Sequence, residues 1–188
     1  MTQNNTRYAA YTGLFTTLII IGAFIKIPVP VIPFTLQFLF VALAGLLLGP
    51  KYGSLSVALY AALGLAGLPV FTSGGGITYV LFPTFGYIIG FIVCAFAAGL
   101  ISSKLKPSTK NYFIAAFSGL IILHIIGIPY YYIISKYVID LNLTFKEIFL
   151  FCFVYTVPAD FLLCIAAARI AFKLKPFINK ENKDDETN

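Results

Sequence analysis

Charged residues are scarce in this chain. They make up 11% of its 188 residues, whereas hydrophobic residues make up 60%. A soluble globular protein has about 25% charged residues, and it needs them to cover its surface. A soluble core cannot hold so large an apolar fraction. The composition therefore excludes a soluble protein and predicts an integral membrane protein.

Cysteine and histidine are scarce as well, with three residues and one residue respectively. Cys94, Cys152 and Cys164 lie in apolar runs without C-x-x-C spacing, which argues against a disulfide framework and against a zinc site. The chain also lacks the Walker A, G-x-S-x-G and H-E-x-x-H motifs. We therefore expect no catalytic residues, no metal, no cofactor and no ATP hydrolysis by this chain.

Six apolar stretches follow one another, separated by proline, glycine or charged residues that end helices. About 20 apolar residues are enough for a helix to cross a bilayer. The sequence thus predicts an all-α integral membrane protein with six transmembrane helices. The second and third stretches are short, which suggests that one of them is tilted, bent or partly re-entrant. The predicted helices cover residues 8–25, 34–48, 52–67, 85–102, 112–137 and 148–173.

Polar residues are concentrated at the two ends of the chain. We expect one membrane domain over residues 8–176, with a disordered head over 1–7 and a disordered tail over 177–188. With both termini in the cytoplasm, ten of the 13 Lys and Arg residues face inward, as the positive-inside rule requires. This topology in the cell membrane accounts for the net charge of +6 without a nucleic-acid partner. The outward-facing cations are then Lys26, Lys136 and Lys146.

Asp160 lies near the middle of the last apolar stretch, two residues after Pro158. A carboxylate within the hydrocarbon layer is costly and rare, and by default it marks a substrate or ion site. Pro158 can bend the helix there, and backbone groups freed in a membrane are tolerated only in protein or beside a cavity. The alternative is a structural Asp160 that is hydrogen-bonded to neighbouring hydroxyls.

The predicted outer face holds an uncharged loop, residues 69–84, with three consecutive glycines. Glycine lets backbone approach a ligand closely, and the loop's Phe, Tyr and Thr residues suit a lid over a semi-apolar ligand. A plain turn is the alternative. Thr35 and Gln37 would reach the same region from the start of the second helix, although a glutamine there can also be merely interfacial.

Three further groups have competing interpretations. His124 is a single histidine in the fifth helix, and hydrogen bonding between helices explains such a residue more often than ligand binding does. Residues 130–132 are three tyrosines, which suit an aromatic belt at the membrane interface or, for one of them, a stacking contact with a ligand. Ala9 and Gly13 form a small-x-x-x-small face, which permits either internal packing or docking of another subunit.

An ordered set of motifs resembles the BioY family. Residues 29–37 resemble its P-V-P-F-T-L-Q segment, and residues 45–53 resemble the segment that follows. Residues 67–71, the glycine run, Pro83-Thr84 and Gly86-Tyr87 come next in the expected order, and Pro158-x-Asp160 closes the match. The resemblance extends over residues 8–169, and the ordered set is specific although no single motif is.

The resemblance implies a role in vitamin uptake. BioY proteins are the biotin-binding subunits, or S components, of energy-coupling factor (ECF) transporters. The implied protein is a six-helix subunit that captures biotin at the outer face. It docks through a small-residue face of its first helix, here Ala9 and Gly13, on a transmembrane coupling subunit that two ATPases drive.

The expected substrate-binding residues offer hydroxyl, amide, aromatic or carboxylate groups: Thr35, Gln37, Thr78, Tyr79, Tyr87, Tyr130 and Asp160. Asp160 would accept hydrogen bonds from a ureido-type N–H pair. The chain departs from the family at Leu163, where the family has a lysine suited to a ligand carboxylate. A biotin analogue or another small carboxylic acid is therefore an open alternative. So are a stand-alone proton-coupled carrier and a small membrane enzyme that uses His124 and Asp160.

Overall fold

Helices form almost all of the regular structure in the computed structural model, which describes residues 3–27, 34–141 and 143–184. Side chains are described over 6–26, 34–141 and 143–178. The proline cluster predicted to end the first helix, Pro28 to Pro33, lies outside the described residues. In chain order the elements are α1 (Gln3–Phe24), β1 (Lys26–Ile27), β2 (Phe34–Thr35), α2 (Gln37–Leu65), a 3-10 helix (Ile77–Leu81), α3 (Phe85–Lys104), α4 (Thr109–Tyr137), α5 (Phe145–Phe149), a π-helical turn (Leu150–Val154) and α6 (Val157–Asp184).

α2 consists of two arms that fold back on each other at Gly49. Gly49 has φ 79° and ψ −176°, a left-handed conformation that glycine adopts readily, and Pro50 follows it. A Cβ added to Gly53 would lie 2.7 Å from the Cα of Gly45, so the two arms touch just beyond the bend. These arms, residues 37–48 and 50–65, correspond to the two short helices that the sequence predicts.

Five helices of the described structure are long and apolar enough to cross a membrane when α2 is taken as one. The bend at Gly49 divides α2 into two crossings, which gives the six predicted from the sequence. α3 lies between α2 and α4, and α6 contacts both α2 and α4. Alanine and glycine residues at these contacts, such as Gly45 against Ala95, allow close approach of the backbones, as in other membrane helix bundles.

The last apolar stretch is not the single helix that the sequence predicts. It begins at Phe145, passes through the π-helical turn, and restarts as α6 at Val157. Pro158 is the second residue of α6, where its missing N–H needs no partner. The N–H groups of Ala159 and Asp160 both donate to the carbonyl of Thr156, at 3.1 and 3.0 Å. Asp160 is therefore in the first turn of α6, at a break in the helix.

The chain ends also differ from expectation. α1 begins at Gln3, so the described part of the head, residues 3–7, is helical. α6 continues to Asp184 and includes residues 177–184 of the segment expected to be disordered. Lys and Glu in this segment are good helix formers, and a helix already held by packing over α6 extends into them.

The loop between α2 and α3 is a packed turn that covers one end of the bundle. Phe71 is 1% exposed, and its backbone N–H donates to the carbonyl of Gly74 at 2.9 Å. Gly64 makes room for the Phe71 ring, since a Cβ at position 64 would lie 2.0 Å from that ring. Gly76 donates to the carbonyl of Gly64 at 2.7 Å, which closes the loop onto the end of α2.

Candidate functional site

A cavity lies beneath this loop, with about 690 Å³ of space outside the atoms, including its open mouth. Small-molecule sites are concave, with mainly apolar walls and a few polar groups. The wall is mainly apolar and aromatic, with Phe34, Phe38, Tyr60 and Phe91 among its members. The polar groups on it belong to Thr35, Gln37, Tyr60, Thr72, Tyr79, Thr84, Tyr87, His124, Thr156 and Asp160.

Five of the seven residues predicted to bind substrate line this one cavity: Thr35, Gln37, Tyr79, Tyr87 and Asp160. Thr78 does not line it, and its side chain is exposed. Tyr130 lies behind the wall and donates a hydrogen bond to the carbonyl of Val80 in the 3-10 helix. Tyr130 therefore positions the loop rather than the ligand.

Asp160 is buried in the cavity wall with 7% of its surface exposed. Its carboxyl group has no hydrogen-bond or charge partner among the described residues. The alternative of a carboxyl bonded to neighbouring hydroxyls therefore has no support among the described contacts. Burying a carboxylate without partners is unfavourable, so its hydrogen-bonding capacity is available to a ligand in the cavity.

Two more buried polar groups of the wall make no hydrogen bond of normal geometry among the described residues, although Gln37 lies beside the Tyr60 hydroxyl and Tyr87 beside the Cys152 thiol. They are the side-chain nitrogen Nε2 of Gln37 and the hydroxyl of Tyr87. Each unsatisfied buried group costs about 1–3 kcal/mol, and native structures have few of them. Two donors and one carboxyl group thus face the same cavity without partners, which points to a ligand with complementary polar atoms.

Glycine positions explain how Tyr87 reaches this place. A Cβ on Gly127 of α4 would lie 2.8 Å from the Tyr87 ring. A Cβ on Gly86 would lie 2.4 Å from Tyr130. Each of these two helices therefore has a glycine that makes room for a tyrosine of the other. Tyr87 of α3 lies at the cavity, and Tyr130 of α4 contacts the loop.

His124 lines the cavity. The sequence favours a role in hydrogen bonding between helices for this residue. Its Nδ1 lies 2.9 Å from the carbonyl of Leu120, so Nδ1 must carry the hydrogen. Its Nε2 lies 3.4 Å from the hydroxyl of Thr156, which already donates to the carbonyl of Cys152 at 2.8 Å. In the neutral imidazole, Nε2 is thus an acceptor on the cavity wall.

Three hydroxyl groups line the cavity below the loop. The Tyr79 hydroxyl lies 3.1 Å from that of Thr72 and 3.2 Å from that of Thr84. The Tyr79 ring stacks on Phe82 with centroids 4.9 Å apart and lies 4.5 Å from Phe71. Thr72 and Thr84 were missed from the sequence because both belong to an irregular loop whose folding no periodic pattern reveals.

The small-residue face of α1 is exposed at Ala9 and half-buried at Gly13. Ala9 is exposed, and a Cβ added to Gly13 would meet nothing within 4 Å. Thr17, one turn later, is exposed as well. The described residues therefore leave this face without an internal packing partner.

Comparisons with known proteins agree on one family. The BioY family is matched over residues 1–180. A protein named "Probable biotin transporter BioY" from Lysinibacillus sphaericus is 46% identical over 173 residues, which cover 92% of this chain and 88% of that protein. "Biotin transporter BioY" of Thermotoga maritima is 42% identical over 164 residues, covering 87% of this chain and 92% of that protein.

A solved structure has the same fold. The crystal structure of the S-component for biotin from an ECF-type ABC transporter superposes with a TM-score of 0.81. The two sequences are 30% identical, and the superposition covers 94% of this chain and 95% of the other.

Proposed function

Because the chain belongs to the BioY family, we propose that it binds biotin in the cavity below the loop, as the S component of an ECF-type transporter. It is a multi-pass membrane protein that binds its substrate and catalyses no reaction. The observation that carries the proposal is the cavity below the loop. There the Asp160 carboxyl, the Gln37 Nε2 and the Tyr87 hydroxyl all lack partners among the described residues.

The ureido ring of biotin complements these three groups. The ring has two N–H donors and one carbonyl acceptor. Asp160 accepts from an N–H group, and Nε2 of Gln37 and the hydroxyl of Tyr87 donate to the carbonyl oxygen. The acceptor Nε2 of His124 lies on the same wall and is suited to the second N–H group. A hydrogen bond to a charged group contributes about 1.5–3 kcal/mol, so Asp160 is the strongest single polar contact.

The apolar wall suits the rest of the molecule. The fused ring and the aliphatic chain of biotin are apolar apart from their functional groups, and the wall offers Phe38, Ile88, Phe91 and Leu123. Burial of apolar surface contributes about 25 cal/mol per Å². Apolar contact provides general affinity in this arrangement, whereas the polar groups provide selectivity for a ureido ring.

We place the cavity mouth at the outer side of the membrane and both chain termini in the cytoplasm. The support is the distribution of Lys and Arg residues, ten of 13 on the cytoplasmic side in this orientation. Thr35 and Thr72, which line the cavity, belong to the segments that connect helices at the outer side. Biotin then enters from outside the cell.

The exposed face of α1 at Ala9 and Gly13 is the proposed contact with the transmembrane coupling subunit. Small residues allow close helix contact, and no described residue covers them. Two ATPase subunits on that coupling subunit supply the energy for uptake, since this chain has no nucleotide-binding motif.

Calorimetric titration of the purified, ligand-free chain tests the assignment. We expect one-to-one binding of biotin, weaker binding of dethiobiotin, which keeps the ureido ring, and no binding of lipoate, which lacks it. A folded sample that does not bind biotin, or that binds lipoate as tightly as biotin, would overturn the proposal.

A further inference from the structure

Lys26 lies at the rim of the cavity. β1 and β2 pair in antiparallel register, and Lys26 is directly opposite Thr35, which lines the cavity. Side chains of directly opposed residues lie on the same face of the ribbon, so the Lys26 side chain extends on the Thr35 side. Its ammonium nitrogen Nζ donates to the carbonyl of Thr72, another lining residue, at 3.3 Å. Lys26 thus connects two segments of the cavity rim.

The charge balance of the cavity leaves a carboxylate ligand without a partner inside. None of the described lining residues is Lys or Arg, and Asp160 is the one acidic residue among them. On α6, the residue one turn beyond Asp160 is the apolar Leu163. A ligand carboxylate placed deep in the cavity would be desolvated and would face Asp160, which is unfavourable.

Lys26 can supply the missing charge at little cost. An ammonium group has three N–H donors, and the Thr72 carbonyl uses one of them among the described contacts. The Lys26 side chain is exposed, so it loses little hydration when a carboxylate reaches it. Thr72, whose carbonyl accepts from Lys26, and Thr35, its opposite residue in the ribbon, both line the cavity and carry hydroxyl groups.

We propose that Lys26 binds the carboxylate of the ligand at the cavity mouth and thereby makes the site selective for the free acid over its neutral derivatives. The inference rests on the proposed function, because it takes biotin as the ligand. The ureido ring then lies at Asp160, and the aliphatic chain runs outward along the apolar wall. The carboxylate ends between the Lys26 ammonium group and the rim hydroxyls.

The test combines two proteins with two ligands. Wild type and Lys26→Met are each titrated with biotin and with biotin amide, whose side chain is neutral. A charge-assisted hydrogen bond at an exposed position predicts that Lys26→Met weakens biotin binding about 5- to 20-fold and changes amide binding less than about 2-fold. Lys26→Arg keeps the positive charge, and we expect biotin affinity within about 3-fold of wild type.

Lys136→Met is the matched control. Lys136 is also exposed on the outer side, but its ammonium group contacts the hydroxyl of Tyr132 at 3.0 Å, away from the lining residues. We expect this variant to bind biotin as wild type does. Equal biotin affinity of wild type and Lys26→Met would overturn the inference. An equal loss of biotin and amide binding would also overturn it, since it would indicate a structural role. Failure of the wild-type protein to bind biotin would instead refute the proposed function.

Discussion

At the scale of single residues, the support for the proposed site is a set of buried polar groups without hydrogen-bond partners among the described residues. Asp160 is 7% exposed, and Gln37 and Tyr87 line the same cavity. Each of them destabilises the ligand-free protein in its present position, because burial removes water without providing a replacement partner. A ligand that supplies those partners gains the corresponding free energy on binding. The residues that weaken the empty fold are thus the residues that favour the complex.

Replacement of Asp160 separates these two effects. Asp160→Asn removes the charge and keeps the shape, so we expect biotin affinity to fall about 10- to 100-fold, as for the loss of a charge-assisted hydrogen bond. The ligand-free variant should unfold at the same temperature as wild type or at a higher one, because a buried carboxylate is unfavourable. Titration calorimetry and thermal unfolding in detergent measure the two quantities.

Asp140→Asn is the control for this substitution. Asp140 is exposed, and its positive φ of 56° is a conformation that asparagine also adopts. Unchanged affinity in Asp160→Asn, together with a lower unfolding temperature, would mean that Asp160 has a structural role instead.

Sequence alone predicts part of this site, for reasons that differ between residues. Asp160 stands out because it is a carboxyl group within an apolar stretch. Thr72 and His124 do not stand out in this way, although both line the cavity. Thr72 lines the cavity because the irregular loop folds over it. His124 lines it because its side of α4 faces the cavity. Thr78, adjacent to Tyr79, was predicted on its position in that loop, and its side chain faces away.

At the scale of elements, the bend in α2 depends on a lysine from another helix. The sequence Gly49-Pro50 interrupts the helical hydrogen bonds, so carbonyls before the bend lose their usual donors. The ammonium nitrogen Nζ of Lys175 on α6 donates to the carbonyls of Leu46 and Leu47, each at 2.8 Å. The Lys175 ammonium group thus donates to two carbonyls at the bend and links α6 to α2.

Loss of this cation should destabilise the fold without affecting binding. We expect Lys175→Met to lower the free energy of unfolding by about 1–3 kcal/mol, because two partly buried carbonyls lose their donor. Biotin affinity should stay within about 2-fold of wild type, since Lys175 does not line the cavity. Lys173→Met, at an exposed position of the same helix, is the control. Equal unfolding temperatures of the two variants would contradict the assigned role of Lys175.

Helix boundaries are predictable where glycine and proline interrupt the chain, and they are not predictable elsewhere. The pair Gly49-Pro50 predicts the division of α2, which the structure has. The π-helical turn at Leu150–Val154 has no such residue within it, so the sequence predicts one continuous helix there. Proline does not always end a helix, because α4 continues through Pro129.

At the scale of the whole molecule, composition predicts the membrane class and the number of crossings but not which helix faces meet. In a soluble protein the polar face of a helix marks the solvent side. Here both faces are apolar: Leu123 is 3% exposed and lines the cavity, whereas Ile125, two residues later, is 65% exposed. No hydrophobic pattern distinguishes the two positions, so the apolar part of the cavity wall could not be predicted from the sequence.

Assembly with a coupling subunit should depend on the exposed face of α1. We expect Gly13→Phe to prevent copurification with the coupling subunit, because the aromatic ring blocks close helix contact. Biotin affinity and unfolding temperature of the isolated chain should not change, since a Cβ at position 13 meets nothing within 4 Å and α1 does not line the cavity. Ile125→Phe, on the exposed face of α4, is the control. Normal assembly of Gly13→Phe would place the docking surface elsewhere.

The loop over the cavity is fastened at two points, and this has a consequence for the timing of transport. Phe71 is inserted beside Gly64, and Tyr130 holds the carbonyl of Val80. A loop secured in this way opens only when buried aromatic contacts and a hydrogen bond separate together. In the proposed function, the residence time of biotin is then governed by how often the loop detaches, because a bound molecule can leave only while the loop is open.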